Sequence, residues 1–362
     1  MKLSKIASAA FLAAATAAAT LLPATAAAVT LGRSYGDAKV LATFPTPPGF
    51  PEGIAVKGNK VYVAGPARFG TTGTGPSAVF AFNTDTGAPA GTYWTVGEDT
   101  LTEHANSCVA FDGQGRLYVL NTQLGMYRID LETGQQQSYS APFPDLHPCA
   151  TNPAPCSPTV ADMPALPNDI AFDEAGNAYV TDSMQATIWR VAPGGGTPQV
   201  WYQDARFDSP YVGVNGLRLS PDRTKVFLTV TTDLQGGAYV YTLPLVAQPA
   251  AADLAVFHQF PTGDFPDGIA FGKSGRLYVA MATPFASGIA ILGADGAETG
   301  RLANSPLSPI FPYDSPANIA FNGRGSLLAT NHAFATMIPT QFTVLDVYVN
   351  DSAAPLAKPD LP

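Results

Sequence analysis

Six short stretches of this chain set the same kind of side chain at the same place. Each leads into an apolar triplet, and the residue two places before it reads Glu52, Asn106, Asn168, Asn215, Asp267 and Ala317. Two carboxylates and three carboxamides therefore stand in one aligned column. Such hard oxygen donors suit Ca²⁺, which tolerates irregular coordination completed by water; Mg²⁺ and Mn²⁺ share the same ligands. Two carboxylates balance a divalent charge and repel one another without it. The column holds no His or Cys, which argues against zinc. Asn and Asp before a strand are also common turn formers, and Gly53, Gly216 and Gly268 mark tight bends. One member alone reads as a turn cap, but five of six at one position point to a shared site.

The elements that must position this column are hairpins. Residues 166–183, LPNDIAFDEAGNAYVTDS, give two strand-like runs around a Gly-containing turn. The column positions are separated by 54, 62, 47, 52 and 50 residues. A period near 50 built only of strands corresponds to one propeller blade per repeat, and a blade buries its faces only by stacking. Two further β-rich runs follow each hairpin, such as Thr187–Val191 and Gln199–Gln203. The last copy lacks a fourth strand. Lys39–Phe44 is predicted to supply it, closing the ring through both chain ends. The reading is an all-β, six-bladed β-propeller of four-stranded antiparallel blades. Its inner strands line a channel, with the column at one mouth.

Residues 1–28 combine Lys2 and Lys5, the apolar run Ala7–Leu22 and a small-residue stretch at 23–28, the pattern of a secretory signal peptide. We therefore expect a secreted protein, a propeller over 29–350 and a flexible tail over 351–362, acting as a monomer. The formal net charge of −9, without a basic cluster, argues against nucleic acid or an anionic membrane as partners. Cys149 and Cys156 flank a proline-rich loop, and a disulfide is the simplest reading in a secreted chain. Cys108 falls in the apolar register of an inner strand and reads as a buried thiol. The long insert 141–165 is expected to form a lid over one mouth.

The pieces PEG at Glu52, PNDIAFDEAGNAYVTDS at Asn168, NGLRLSPD at Asn215 and PDGIAFGKSGRLYVA at Asp267 carry a resemblance. The chain resembles the senescence marker protein 30/gluconolactonase/LRE-like family, within a superfamily that includes paraoxonase-like and strictosidine synthase-like propellers. The resemblance covers nearly all of the chain after residue 28. It implies a catalytic divalent ion, usually calcium, on Glu52, Asn215 and Asp267, with Asn168 as ligand or substrate contact. It also implies hydrolysis of a lactone or related ester, the metal acting on the carbonyl oxygen.

Asp267 is the first candidate by resemblance to take a proton from water, and Asp182, at the end of a returning strand, the second. Asn106, His104 and Asn331 are expected to contact substrate. Some paraoxonase-like members have a catalytic His where this chain has Asn106, so their proton shuttle does not carry over. No G-x-S-x-G is present, which disfavours a serine triad. Two other readings stand beside the hydrolase: a secreted binding module with structural calcium, and a strictosidine synthase-like condensing enzyme, for which no Glu base is evident in the column.

Overall fold

In the computed structural model, which describes residues 32–362, alternating apolar residues and tight turns build twenty-four strands in six four-stranded antiparallel sheets. The expected signal segment lies outside the described residues. Five blades each use four consecutive strands, spanning residues 54–94, 106–138, 167–203, 214–260 and 266–303. The sixth has three strands between residues 316 and 348, and its outer strand is Ala38–Thr43. That strand pairs with Thr343–Tyr348, Ala38 opposite Val347 and Thr43 opposite Thr343. The ring thus closes through both ends of the propeller, as the sequence predicts, and no blade is left open.

Large side chains fill the spaces between neighbouring blades. Tyr179, Trp201, Leu217 and Leu228 pack between the third and fourth, and Tyr118, Phe172 and Trp189 between the second and third. The inner strands touch one another in order, and the sixth returns to the first.

A repeated fault in the ladder positions the site. The inner strands slip register between Pro167 and Ile170, Val214 and Leu217, Pro266 and Ile269, and Pro316 and Ile319. Two residues in each of these bulges leave the ladder, and bulges re-aim side chains. The first of each pair is a column residue: Asn168, Asn215, Asp267 or Ala317.

The last twelve residues, expected as a flexible tail, lie against the propeller. The Ala354 N–H donates to Phe271 O, Gly113 N–H to Pro359 O, and Gln114 Nε2 to Leu361 O. Leu361 is buried against the second and third blades. The segment crosses the channel end opposite the column, where Ala353–Lys358 line a cavity with Ile54, Ile170 and Ile319. Its Ala and Leu side chains cover apolar ends of inner strands that would otherwise face water.

Candidate functional site

At the other mouth Glu52, Asn168, Asn215 and Asp267 line one cavity of about 660 Å³. Their side chains are all at least nine-tenths buried. Threonine hydroxyls anchor three of the four backbones. Thr229 Oγ1 accepts the Gly216 N–H at 2.7 Å and donates to the Asp267 carbonyl at 2.8 Å. Thr330 Oγ1 accepts the Asn318 N–H at 2.9 Å and donates to the Glu52 carbonyl at 2.6 Å. Thr181 Oγ1 bridges the Asp169 N–H and the Asn215 carbonyl in the same way. Each hydroxyl stands in for the ladder partner lost at its bulge and ties one blade to the next. The column glycines are set by this close approach. A Cβ on Gly216 would lie 2.4 Å from the Asp267 carbonyl oxygen, and one on Gly53 2.3 Å from Cys108 Cα.

The electrostatics are those of a cation site. Glu52 Oε2 and Asn215 Oδ1 are buried and accept no hydrogen bond. Burial, then the charges of Asp267 and Asp169, push the Glu52 carboxyl well above the usual carboxylate range. Burial, then Asp169, does the same to Asp267. Two desolvated carboxylates with unpartnered oxygens nearby are costly unless a positive charge joins them. The donor set, oxygen only and doubly anionic, fits a hard divalent ion. Below it Asp169 is satisfied separately. It pairs with Arg218 Nη1 at 2.7 Å and accepts the Leu217 N–H at 2.9 Å and the Cys108 thiol at 3.1 Å. Cys108 is buried and unbridged, and burial raises its thiol further from ionisation.

Four expected site residues lie elsewhere. Asp182 does not line the cavity. Its carboxylate accepts from Leu166 N, Gln185 Nε2 and Trp189 Nε1 at 3.0, 2.8 and 3.0 Å, so it caps a strand end and has no oxygen to spare for water. Asn331 has the equivalent place in the sixth blade, accepting from Asp314 N at 2.7 Å and donating to Gln341 O. Asn106 is turned into its own blade because the second blade's bulge is one residue shorter. Asn106 therefore pairs directly with Asn121, and Ser107 takes the place at the mouth. Its amide donates to Thr95 Oγ1 at 2.8 Å and accepts from Asn121 Nδ2 at 2.9 Å. His104 sets its ring nitrogens against two backbone carbonyls, Thr102 O at 2.8 Å and Gly75 O at 2.7 Å, and so sits in a loop away from the cavity.

Two further residues are in the site. His332 lines the cavity with Nδ1 3.3 Å from Glu52 Oε2, and its buried Nε2 has no partner. Burial lowers it to about 4 against an opposing contribution from the Ala67 backbone, with Arg68 acting in the same direction as burial. Its position one residue past a strand-end cap was the available signal, since the chain reverses there toward the mouth. Arg68 is the second, its guanidinium carbon 4.4 Å above the Phe50 ring.

Cys149 and Cys156 are bonded as expected. The insert 141–165 contributes Ala161 and Met163 to the cavity wall. It also carries Asp145, His147 and Asp162, exposed side chains whose ligand atoms lie within 4.8 Å of one another. The His147–Asp162 contact, at 3.1 Å, raises His147. A cluster of this kind forms readily on an acidic loop without an ion.

A closed six-bladed propeller with an oxygen-lined pocket at one end of its channel defines the class of protein. Residues 77–328 match the SMP-30/Gluconolactonase/LRE-like region, and the chain belongs to that family. A gluconolactonase of Zymomonas mobilis subsp. mobilis is 26% identical over 186 residues, covering 45% of this chain and 46% of that protein. The chain thus spans about half the length of that relative. Among solved structures, the calcium-binding protein regucalcin of Agrobacterium tumefaciens superposes with a TM-score of 0.61 at 15% identity, over 89% of this chain and 96% of that one. A luciferin-regenerating enzyme gives a TM-score of 0.56 at 12% identity, over 89% and 99%. At these identities the two structures speak for the fold alone.

Proposed function

We propose that this chain hydrolyses a lactone, or a related carboxylic ester, at the floor of the cavity. Glu52, Asn168, Asn215 and Asp267 would hold a divalent cation there, Ca²⁺ before Mg²⁺ or Mn²⁺. One observation carries the reading: two buried oxygens that accept no hydrogen bond, Glu52 Oε2 and Asn215 Oδ1, share a cavity with the buried carboxylate of Asp267. Family membership and the similarity to a gluconolactonase support the reaction class.

Bound there, such a cation supplies Lewis-acid polarisation of a carbonyl oxygen. The chain supplies the rest. Bulges and threonine hydroxyls fix the donor atoms in advance, so little reorganisation is needed when charge develops. Phe69, Phe265 and Phe334 keep the surroundings apolar, which strengthens every charge interaction inside. Asp267 and His332 are the groups placed to accept a proton from an attacking water, His332 through its unpartnered Nε2. Glu52 Oε2 lies 3.3 Å from the imidazole Nδ1 without accepting a hydrogen bond from it. Residues 1–28 support secretion, and a disulfide suits an oxidising compartment.

The test is a panel of aliphatic and sugar lactones with chelated and calcium-reloaded protein. Turnover should vanish on chelation, return with Ca²⁺, and fall about a hundredfold or more in Asp267→Ala. Full activity in Asp267→Ala would show that the assigned site is wrong. A rise in melting temperature with Ca²⁺ but no turnover of any lactone or ester would favour a binding module.

A further inference from the structure

Arg68 is the one Lys or Arg among the residues that line the cavity. Its Nε is buried without a hydrogen-bond partner, and no ion pair to a described carboxylate satisfies it. The guanidinium carbon lies 4.4 Å from the centroid of the Phe50 ring, a cation–π contact that holds the group while its buried Nε goes without a hydrogen-bond acceptor. The loop that carries it is fastened from outside the cavity. Glu103 accepts the Gly70 and Thr71 N–H groups at 2.8 and 3.1 Å, and His104 Nε2 holds Gly75 O. A guanidinium kept in place, partly desolvated and unpaired is costly, and a ligand can offset that cost.

The other charges do not serve it. Glu52 and Asp267 would be balanced by the divalent ion. Asp208, also in the wall, is held by the Val160 and Ser209 N–H groups, both at 2.8 Å. The loaded cavity therefore keeps one positive group with an unpartnered nitrogen in a wall whose large side chains, Phe69, Met163, Met184, Tyr211, Phe265 and Phe334, are mostly apolar and whose hydroxyls come from Ser107, Ser209, Thr231, Thr232 and Tyr211. A polyhydroxylated ring finds few hydrogen-bonding partners on such a wall, whereas an apolar body does not need them.

We infer that Arg68 anchors a carboxylate on the ligand, and that the substrate is a lactone or ester with an apolar body and one carboxylate distal to the reacting carbonyl. The substrate class rests on the hydrolase reading above; the anchor does not.

Two measurements separate them. The first compares kcat/KM for γ-alkyl butyrolactones of equal chain length ending in methyl or in carboxylate, with glucono-δ-lactone alongside. The carboxylate form should be preferred by about tenfold or more, mainly through KM. Arg68→Gln should bring that ratio to about one, and Arg68→Lys should keep part of it. The second titrates calcium-loaded protein with decanoate and with decan-1-ol. Decanoate should bind about tenfold more tightly to the wild type and no more tightly to Arg68→Gln. Decanoate bound through Arg68 without lactone turnover would keep the anchor and sink the hydrolase. Turnover with an undiminished carboxylate preference in Arg68→Gln, or a preference for the sugar lactone over both alkyl lactones, would overturn the inference while leaving the hydrolase standing.

Discussion

The hydroxyl of Thr229 donates to the backbone carbonyl of Asp267, one blade further on, at 2.8 Å. A buried threonine in one blade thus fixes where the next blade presents its carboxylate. Thr330 does this for Glu52 and Thr181 for Asn215. Thr229→Val should cost about 1–2 kcal/mol, the usual penalty for orphaning a buried carbonyl and N–H. It should also weaken calcium binding without touching any ligand side chain. Denaturant unfolding and calcium titration check both, and Thr229→Ser, which keeps the hydroxyl, should recover most of each.

His332 and Asp182 should separate cleanly. His332→Gln should lower kcat by about a hundredfold with a near-normal melt, as expected for loss of a proton acceptor. Asp182→Ala should instead destabilise the fold by about 2–4 kcal/mol, because it leaves buried donors at Leu166, Gln185 and Trp189 without an acceptor. The folded fraction of Asp182→Ala should keep its turnover. Steady-state kinetics beside calorimetry would read this; a large kcat loss in folded Asp182→Ala would restore Asp182 to the chemistry.

Glu103 gives the loop that carries Arg68 a pH dependence. Burial, the largest single influence, raises its carboxyl, but the backbone and hydroxyl donors of Thr71, Thr72 and Gly70 together outweigh it and lower it from 4.5 to about 2. The folded value is depressed, so the support is present above about 4.5 and fades as pH falls toward 2. Hydrogen exchange at residues 66–77, corrected for the intrinsic effect of pH, should accelerate in that window. Glu103→Gln should show the faster exchange already at pH 7. Unchanged exchange in the variant would mean that other contacts hold the loop.

Much of the fold was legible because a hairpin repeated near every fifty residues leaves few ways to bury its faces. The closing strand followed from the missing fourth strand of the last blade, and the column from its oxygen side chains. What escaped the sequence was local register. Asn106 aligns with Asn168 by its apolar triplet, yet a bulge one residue shorter rotates it off the mouth and brings in Ser107. A slip of one residue exchanges faces, and no propensity records it. Asp182 and Asn331 look like mouth residues because strand ends are near the mouth, but caps occupy the same places. The C-terminal segment is Pro-rich and lacks a strand pattern, so its packing rests on scattered Ala and Leu side chains that carry no periodic signal. Arg68 and His332 lie on connections, whose conformation depends on contacts with other blades.

Glu52, Asn215 and Asp267 are proposed to converge on one cation. Calorimetric titration of chelator-treated protein with Ca²⁺ tests it most directly, comparing the wild type with Asp267→Asn of verified fold. About one ion should bind per wild-type chain, with an affinity at least about tenfold weaker in the variant, the loss of a charged ligand being worth more than a single neutral hydrogen bond. Equal stoichiometry and affinity in Asp267→Asn would place the ion elsewhere and contradict it.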